Sequence, residues 1–317
     1  MLTSTQLEQY RRDGFLIVHD FFAIEELQPV MDEIDDQVDE LADKLYAAGK
    51  VRRKHEDEGF YTRLTALERE FPGSAVLLHT RGILDPALAG LWGSSKLLDI
   101  VEQLIGPNIA GHPVWNLRCK TPDNPLATVP WHQDTAYLAK GVHTTHQPTA
   151  WIPLIDANLT NGTLQVIPGG HRPGNVVRHS LERTRGGHEE SWYLDIDEED
   201  LPTGDVVTCE MKMGSFLLIN QLIPHRSTEN HSDKIRWSVD LRWQRPDEPS
   251  GFGKIKPCIL MRTADDPDYK IDWERWARNS RMEIVKQRAG SEADDSFGTT
   301  VTGPWLNRWS KQAPSRE

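Results

Sequence analysis

The spacing of apolar residues divides the chain into a helical first third and a β-rich middle. Ile24, Leu27, Val30, Met31, Ile34, Val38, Leu41 and Leu45 recur three and four positions apart with acidic residues between them, which predicts a long amphipathic helix. The run Phe15–Val18 ahead of it reads as an edge strand. Leu97, Leu98, Val101, Leu104 and Ile105 predict a further amphipathic helix, closed by Gly106-Pro107. The texture then changes. Short β-type runs separated by Gly, Pro, Asn and Asp occupy Val114–Lys120, Thr149–Ile155, Thr163–Ile167, Val206–Met211, Phe216–Ile219 and Ile235–Trp243. Strands punctuated by turns, without intervening helices, suggest a β-sandwich or barrel. Helical character returns over Asp272–Gln287, and no repeat or low-complexity linker interrupts the chain. The pattern predicts one α+β, mainly β domain over residues 1–317. Its parts are a helical layer (1–110), a β-barrel core (111–245) and a C-terminal extension (246–317).

The last long run alternates strictly. Ile235, Trp237, Val239, Leu241 and Trp243 share one face, and Arg236, Ser238, Asp240 and Arg242 share the other. Polar residues facing into a small barrel are costly unless they bind something or one another. An inward Arg236 would suit a carboxylate through its planar fork, with Ser238 beside it as a second donor. The competing reading is a strand whose polar side faces solvent.

Candidate chemistry begins with His-x-Asp, because residues two apart on an extended backbone point the same way and can share a metal. The pattern occurs three times, at His55-Glu56-Asp57, His132-Gln133-Asp134 and His231-Ser232-Asp233. The first lies in a charged run and the third in a polar turn, both expected on the surface. Only the middle copy has an apolar approach, Val129-Pro130-Trp131, and the partial desolvation a metal site needs. A second pattern downstream, Ile223-Pro224-His225-Arg226-Ser227, leads into the alternating strand and raises the standing of the middle copy. Two imidazoles and a carboxylate form the face that binds iron(II) and leaves positions open.

Composition narrows the class. Hydrophobic residues at 38% and charged residues at 26% describe an ordinary globular chain. A net charge of −12 and a pI near 5.5 argue against nucleic acid and anionic membrane surfaces as partners. Three widely spaced cysteines, Cys119, Cys209 and Cys258, exclude a disulfide framework and a CxxC zinc site and fit a reducing compartment. With no signal-like apolar segment near Met1 and no apolar stretch long enough to span a bilayer, a cytoplasmic protein is expected.

Together, His132-Gln133-Asp134, Trp151-Ile152-Pro153-Leu154, Asn161-Gly162-Thr163-Leu164, Pro168-Gly169-Gly170-His171, His225 and Arg236 resemble the phytanoyl-CoA dioxygenase family. The likeness runs from Leu2 to Trp243. It implies a double-stranded β-helix, a cupin-like jelly-roll barrel with flanking helices. It implies iron(II) on His132, Asp134 and His225, with 2-oxoglutarate and dioxygen as cosubstrates. The distal carboxylate of 2-oxoglutarate would rest on Arg236 with help from Ser227, beside Trp151, and His171 would be structural. Two positions depart from the family. Gly170 stands where Ser is frequent, and Val129 stands where some members hold the other cosubstrate carboxylate with Gln. Asn116 and Arg118, on one face of the preceding strand, are the expected substitutes.

The reaction so implied is hydroxylation of an unactivated C–H bond in a small molecule, with release of succinate and carbon dioxide. Desaturation or ring closure is the variant outcome. Asp134 argues against halogenases of this scaffold, which lack the metal carboxylate. Tyr137, Leu138, Arg242 and Trp243 are expected to border the substrate pocket, and the want of a basic cluster suited to a CoA phosphate favours a free small molecule. The rival readings are a non-catalytic binding relative and a zinc hydrolase built on His143-Thr144-Thr145-His146. The second has no Glu base in its loop, which reads better as a polar cover. Oligomeric state is left open.

Overall fold

The long helix forms where the apolar spacing places it. In the computed structural model, which describes residues 1–81, 84–181, 193–252 and 256–277, it spans Ile24–Ala47. Leu27, Val30, Ile34, Val38, Leu41 and Leu45 are buried along one face, and Glu25 and Glu26 sit in the first turn, where acids complement the helix dipole. It is α2. The α1 helix, Ser4–Asp13, precedes it, with Thr3 and Gln6 forming a reciprocal cap. Four shorter helices complete the layer: α3 (Arg63–Glu70), α4 (Ser74–Arg81), α5 (Pro86–Trp92) and α6 (Ser95–Ile105). Gly106 ends α6 at φ 87°, as its position after the last apolar residue predicts.

The strands are antiparallel throughout. They are β1 (Phe15–Val18), β2 (Ile109–Gly111), β3 (Asn116–Lys120), β4 (Thr149–Pro153), β5 (Leu164–Val166), β6 (His179–Leu181), β7 (Leu194–Ile196), β8 (Val207–Cys209), β9 (Phe216–Ile219), β10 (His225–Ser227), β11 (Arg236–Gln244) and β12 (Ile259–Arg262). A seven-stranded sheet runs β1-β9-β4-β11-β2-β12, with β3 also paired to β11. A smaller sheet runs β10-β5-β8, and β6 pairs with β7. β1 is an edge strand, as expected, pairing Phe15 with Ile219.

β11 decides the architecture. Its face of Trp237, Val239, Leu241 and Trp243 is fully buried against the helical layer. Its other face looks into a cavity lined from the large sheet by β3, β4, β9 and β11 and from the small sheet by β5 and β10. The solvent-facing alternative for the polar side is thereby overturned. Burying roughly 25 cal/mol per Å2 of apolar surface along the tryptophan side is what fixes the strand's register, since a one-residue slip would drive Arg236 and Arg242 into the hydrocarbon core.

Several boundaries are shorter than the sequence suggests, because turns consume the run ends. The expected helix over Asp272–Gln287 is seen as α7, Trp273–Ala277, and its remainder lies outside the described residues. Strands β2, β6, β7, β10 and β12 carry no alternation long enough to announce them. No helix of the described residues is long and apolar enough to cross a membrane.

Candidate metal centre

A backbone pairing brings the two histidines together. The His132 N–H donates to the His225 carbonyl (2.9 Å) and the His225 N–H donates back (3.0 Å), an isolated antiparallel bridge at the end of β10. Ring centroids are 4.1 Å apart. Gln133 is extended, at φ −108° and ψ 133°, so His132 and Asp134 project to one side. Gln133 itself points the other way and is fully buried. Its amide nitrogen donates to the Leu222 carbonyl (2.7 Å), and its oxygen accepts from the Val177 N–H (2.8 Å). The middle residue of the motif thus anchors the two around it.

The donor atoms suit a metal. Each imidazole directs Nδ1 at a backbone carbonyl, His132 at Pro130 (2.9 Å) and His225 at Ile223 (3.0 Å), an arrangement that leaves Nε2 as the lone-pair nitrogen. Both Nε2 atoms face Asp134 Oδ1, at 3.8 and 4.0 Å. The ligand atoms of His132, Asp134 and His225 all lie within 4.8 Å of one another, the one cluster of this kind among the described residues. Burial, then the neighbouring His225, holds the His132 pKa well below its ordinary value, so the ring is neutral and ready to ligate. Burial raises the Asp134 carboxyl, but the neighbouring Arg242 outweighs it and keeps the group ionised.

A cavity open to solvent lies beside this cluster. Arg236 lies on its wall, 2% exposed, opposite Lys120 in the β3–β11 register. Its Nη1 donates to Ser238 Oγ (2.5 Å), its guanidinium stacks over the Trp151 ring at 5.1 Å, and its Nε has no partner. Burial pushes the Arg236 pKa down to about 10. A buried cation with an orphaned donor is a site awaiting an anion, and a carboxylate fits the fork. Ser227 lines the same wall, its Oγ accepting from the Val129 N–H (2.9 Å). The residues therefore fit both a metal ion and a carboxylate cosubstrate.

The decisive comparison is with a family model: residues 10–238 match that of phytanoyl-CoA dioxygenase (PhyH). The chain belongs to this family. Iron(II), 2-oxoglutarate and dioxygen are the family's cofactors, and His132, Asp134 and His225 could hold the iron. A phytanoyl-CoA dioxygenase domain-containing protein 1 homolog of Dictyostelium discoideum is 24% identical over 76% of this chain and 91% of its own length. Phytanoyl-CoA dioxygenase of Arabidopsis thaliana is 27% identical over 76% and 88%. An ectoine dioxygenase of Bordetella bronchiseptica is 23% identical over 75% and 74%. Among solved structures, the apo form of the non-heme monooxygenase ThoJ superposes with a TM-score of 0.56 at 21% identity, covering 89% of this chain and 98% of that one. EctD from S. alaskensis with 2-oxoglutarate and 5-hydroxyectoine gives 0.52 at 20%, over 81% of each chain. These likenesses establish the fold.

Other expected residues land elsewhere. Trp243 does not border the pocket: its parity on β11 sends it into the helical core. Leu138 packs with Val142 and Phe252 away from the cavity. Tyr137 sits edge-on to His132 but off the cavity wall, its hydroxyl accepting from the Leu194 N–H (3.0 Å). Arg242 is on the wall, yet its guanidinium is engaged by Asp134 and Thr149. Asn116 is off the wall, its amide donating to Asp240 (3.3 Å), whereas Arg118 is on it.

The spare His-x-Asp copies are surface features. His55 Nε2 meets Glu70 (2.8 Å), Asp57 pairs with Arg53, and exposed His231 pairs with Asp123. His146 bonds the Tyr10 hydroxyl of α1 (3.0 Å), which ties the His143–His146 loop to the helical layer rather than to a metal. His171 Nε2 is pinned to the Arg11 carbonyl.

Thr149 and Lys120 also line the wall, as do Ala75, Val76 and His79 of α4 and Asp240, which the β11 alternation puts on the inward face. The α4 residues come from a segment with no local mark of function.

Proposed function

We propose that this oxygenase hydroxylates an unactivated C–H bond of a small organic molecule, on a double-stranded β-helix whose iron is held by His132, Asp134 and His225. The carrying observation is the pairing, in one cavity, of that triad with the buried, underbonded Arg236. When bound, iron(II) with 2-oxoglutarate and dioxygen supplies the oxidising power, and succinate and carbon dioxide leave.

The chain's own residues bind and orient. Arg236 takes the distal carboxylate of 2-oxoglutarate with Ser227 Oγ as a second donor, and Ser238 holds the guanidinium in place. Trp151 closes the floor beneath it and excludes water. Asp134 turns one oxygen to the metal side while Arg242 and Thr149 hold the other. Leu164, Ile219 and Val129 add apolar wall between the charged groups, which strengthens each charge-assisted contact inside the pocket.

The test is anaerobic titration of the iron(II) protein with 2-oxoglutarate, read by the weak visible charge-transfer band and by calorimetry. The band is expected in the wild type and not in His225→Ala. Neither band nor heat in the wild type would sink the assignment and leave a binding relative.

A further inference from the structure

Arg118, on the cavity wall, keeps unengaged donors after the metal and the cosubstrate are placed. Among the described residues, the charged side chains on the wall are Arg118, Lys120, Arg236, Arg242, Asp134 and Asp240. On the functional reading above, the metal and the cosubstrate draw on Asp134 and Arg236, and a further cation with free donors in a desolvated cavity selects for an anionic ligand.

Local geometry names the residue that receives it. Arg242 is engaged by Asp134 and Thr149, and Lys120 Nζ donates to the Thr228 carbonyl (2.7 Å) and to Thr128 Oγ1 (3.2 Å). Arg118 differs. Its Nε donates to Asp240 Oδ2 (2.7 Å), the same oxygen that accepts from Asn116, and neither Nη atom has a partner among the described residues. Asp240 thus fixes the guanidinium by one edge and leaves the other edge free. Arg118 faces Ser238 across the β3–β11 ladder, one inward step along from the Lys120–Arg236 pair. The same cavity is lined by Ala75 and Val76 of α4, by Leu126 and Ala127, and by Tyr193.

We infer that the primary substrate is a small organic acid whose carboxylate docks on the free edge of Arg118 while its apolar body lies along Ala75, Val76, Leu126 and Ala127. The family resemblance would give Arg118 to the inner carboxylate of 2-oxoglutarate. Both cosubstrate carboxylates, however, already have a cation, Arg236 for one and the metal for the other. Arg118 is the third cation and takes a third anion.

The experiment uses anaerobic iron(II) protein saturated with 2-oxoglutarate and three matched probe pairs: hexanoate, benzoate and cyclohexanecarboxylate, each against its primary amide. Calorimetry and the shift of the visible band read binding. In the wild type the acids should bind about tenfold or more tighter than the amides, the worth of a charge-assisted contact. Arg118→Gln should erase that preference and leave 2-oxoglutarate affinity within about twofold. Arg118→Lys, which keeps the Asp240 pair, should lose part of it and covers the case in which the Gln variant does not fold. Equal binding of acid and amide by the wild type overturns the inference, as does an acid preference that survives in both variants. A tenfold loss of 2-oxoglutarate affinity in Arg118→Gln would return the residue to the cosubstrate and leave the functional reading standing. Failure of the wild type to bind 2-oxoglutarate at all strikes that reading itself.

Discussion

Arg242 Nη2 lies 2.6 Å from Asp134 Oδ2, and the other oxygen of that carboxylate is the one facing both imidazoles. Thr149 Oγ1 completes the clamp, accepting from Arg242 Nε (2.9 Å) and lying 3.4 Å from the same Oδ2. The two oxygens of Asp134 are thereby assigned different work before any metal arrives. Arg242 sits six residues beyond Arg236 on the same face of β11, so a single strand aligns the candidate cosubstrate cation and the candidate metal carboxylate.

Replacing Arg242 with Met sets two effects against each other. Removing a cation near the metal relieves repulsion, whereas freeing Asp134 loses the orientation of a ligand. Outer partners of metal ligands are worth about 10- to 100-fold in affinity, which is larger than the residual repulsion at a carboxylate-screened distance. Iron(II) affinity of Arg242→Met should fall by about tenfold, measured by competition with a chromogenic chelator. A rise in affinity would mean that repulsion dominates and that orientation is not the role of Arg242.

The three His-x-Asp copies give an internal control. His132→Ala should remove iron(II) binding, whereas His55→Ala and Asp57→Asn should leave it untouched, because His55 is tied to Glu70 and Asp57 to Arg53. Electron paramagnetic resonance of the manganese(II)-loaded proteins checks occupancy. Loss in both sets would place the metal elsewhere.

Much of this site could be read from the chain because it is encoded in two local patterns. An apolar approach singled out His132-Gln133-Asp134, and strict alternation put Arg236, Asp240 and Arg242 on one face. The same alternation, applied consistently, would have excluded Trp243 from the pocket. What stayed illegible depends on contacts distant in sequence. The bridge between His132 and His225 joins segments 93 residues apart, and Tyr10 meets His146 across 136. The placement of α4 against β3 leaves no periodic signature, so Ala75, Val76 and His79 could not be nominated. Three-residue strands such as β2 and β10 are too short to alternate visibly, and tertiary pairing alone makes them strands.

Arg236 should matter to 2-oxoglutarate far more than to the metal. Its Nε is unpartnered and its charge is buried, so a bound carboxylate gains a charge-assisted pair worth about 1.5–3 kcal/mol. Arg236→Ala is expected to weaken 2-oxoglutarate by about 10- to 150-fold and to change iron(II) affinity little. Unchanged cosubstrate affinity in calorimetry would remove Arg236 from the proposed site.

A last prediction concerns acid stability and rests on His112, which is fully buried between the large sheet and the loop near Ser250. Its Nε2–H donates to the Ser250 carbonyl (2.9 Å), and its Nδ1 accepts from the Val114 N–H (3.2 Å). Both ring nitrogens are thus used by the neutral form, and protonation would set a second N–H against the Val114 donor. Burial, then repulsion from Arg242, lowers the folded-state pKa to about 3. The unfolded chain takes up its proton near 6.5 and the folded one does not, so acid favours unfolding. The contribution is nil above the unfolded value, grows as pH falls below 6.5, and levels off near 3. Between pH 7.5 and 5.5 it amounts to about 1.4 kcal/mol, the cost of withholding one proton across that interval. Urea unfolding of the wild type and of His112→Gln at both values isolates it, because Gln keeps a donor and an acceptor but does not titrate. The variant should lose less stability over the interval by about that amount, whatever its absolute stability. Equal losses in the two proteins would mean that His112 is protonated in the folded state or is not held by Ser250 and Val114.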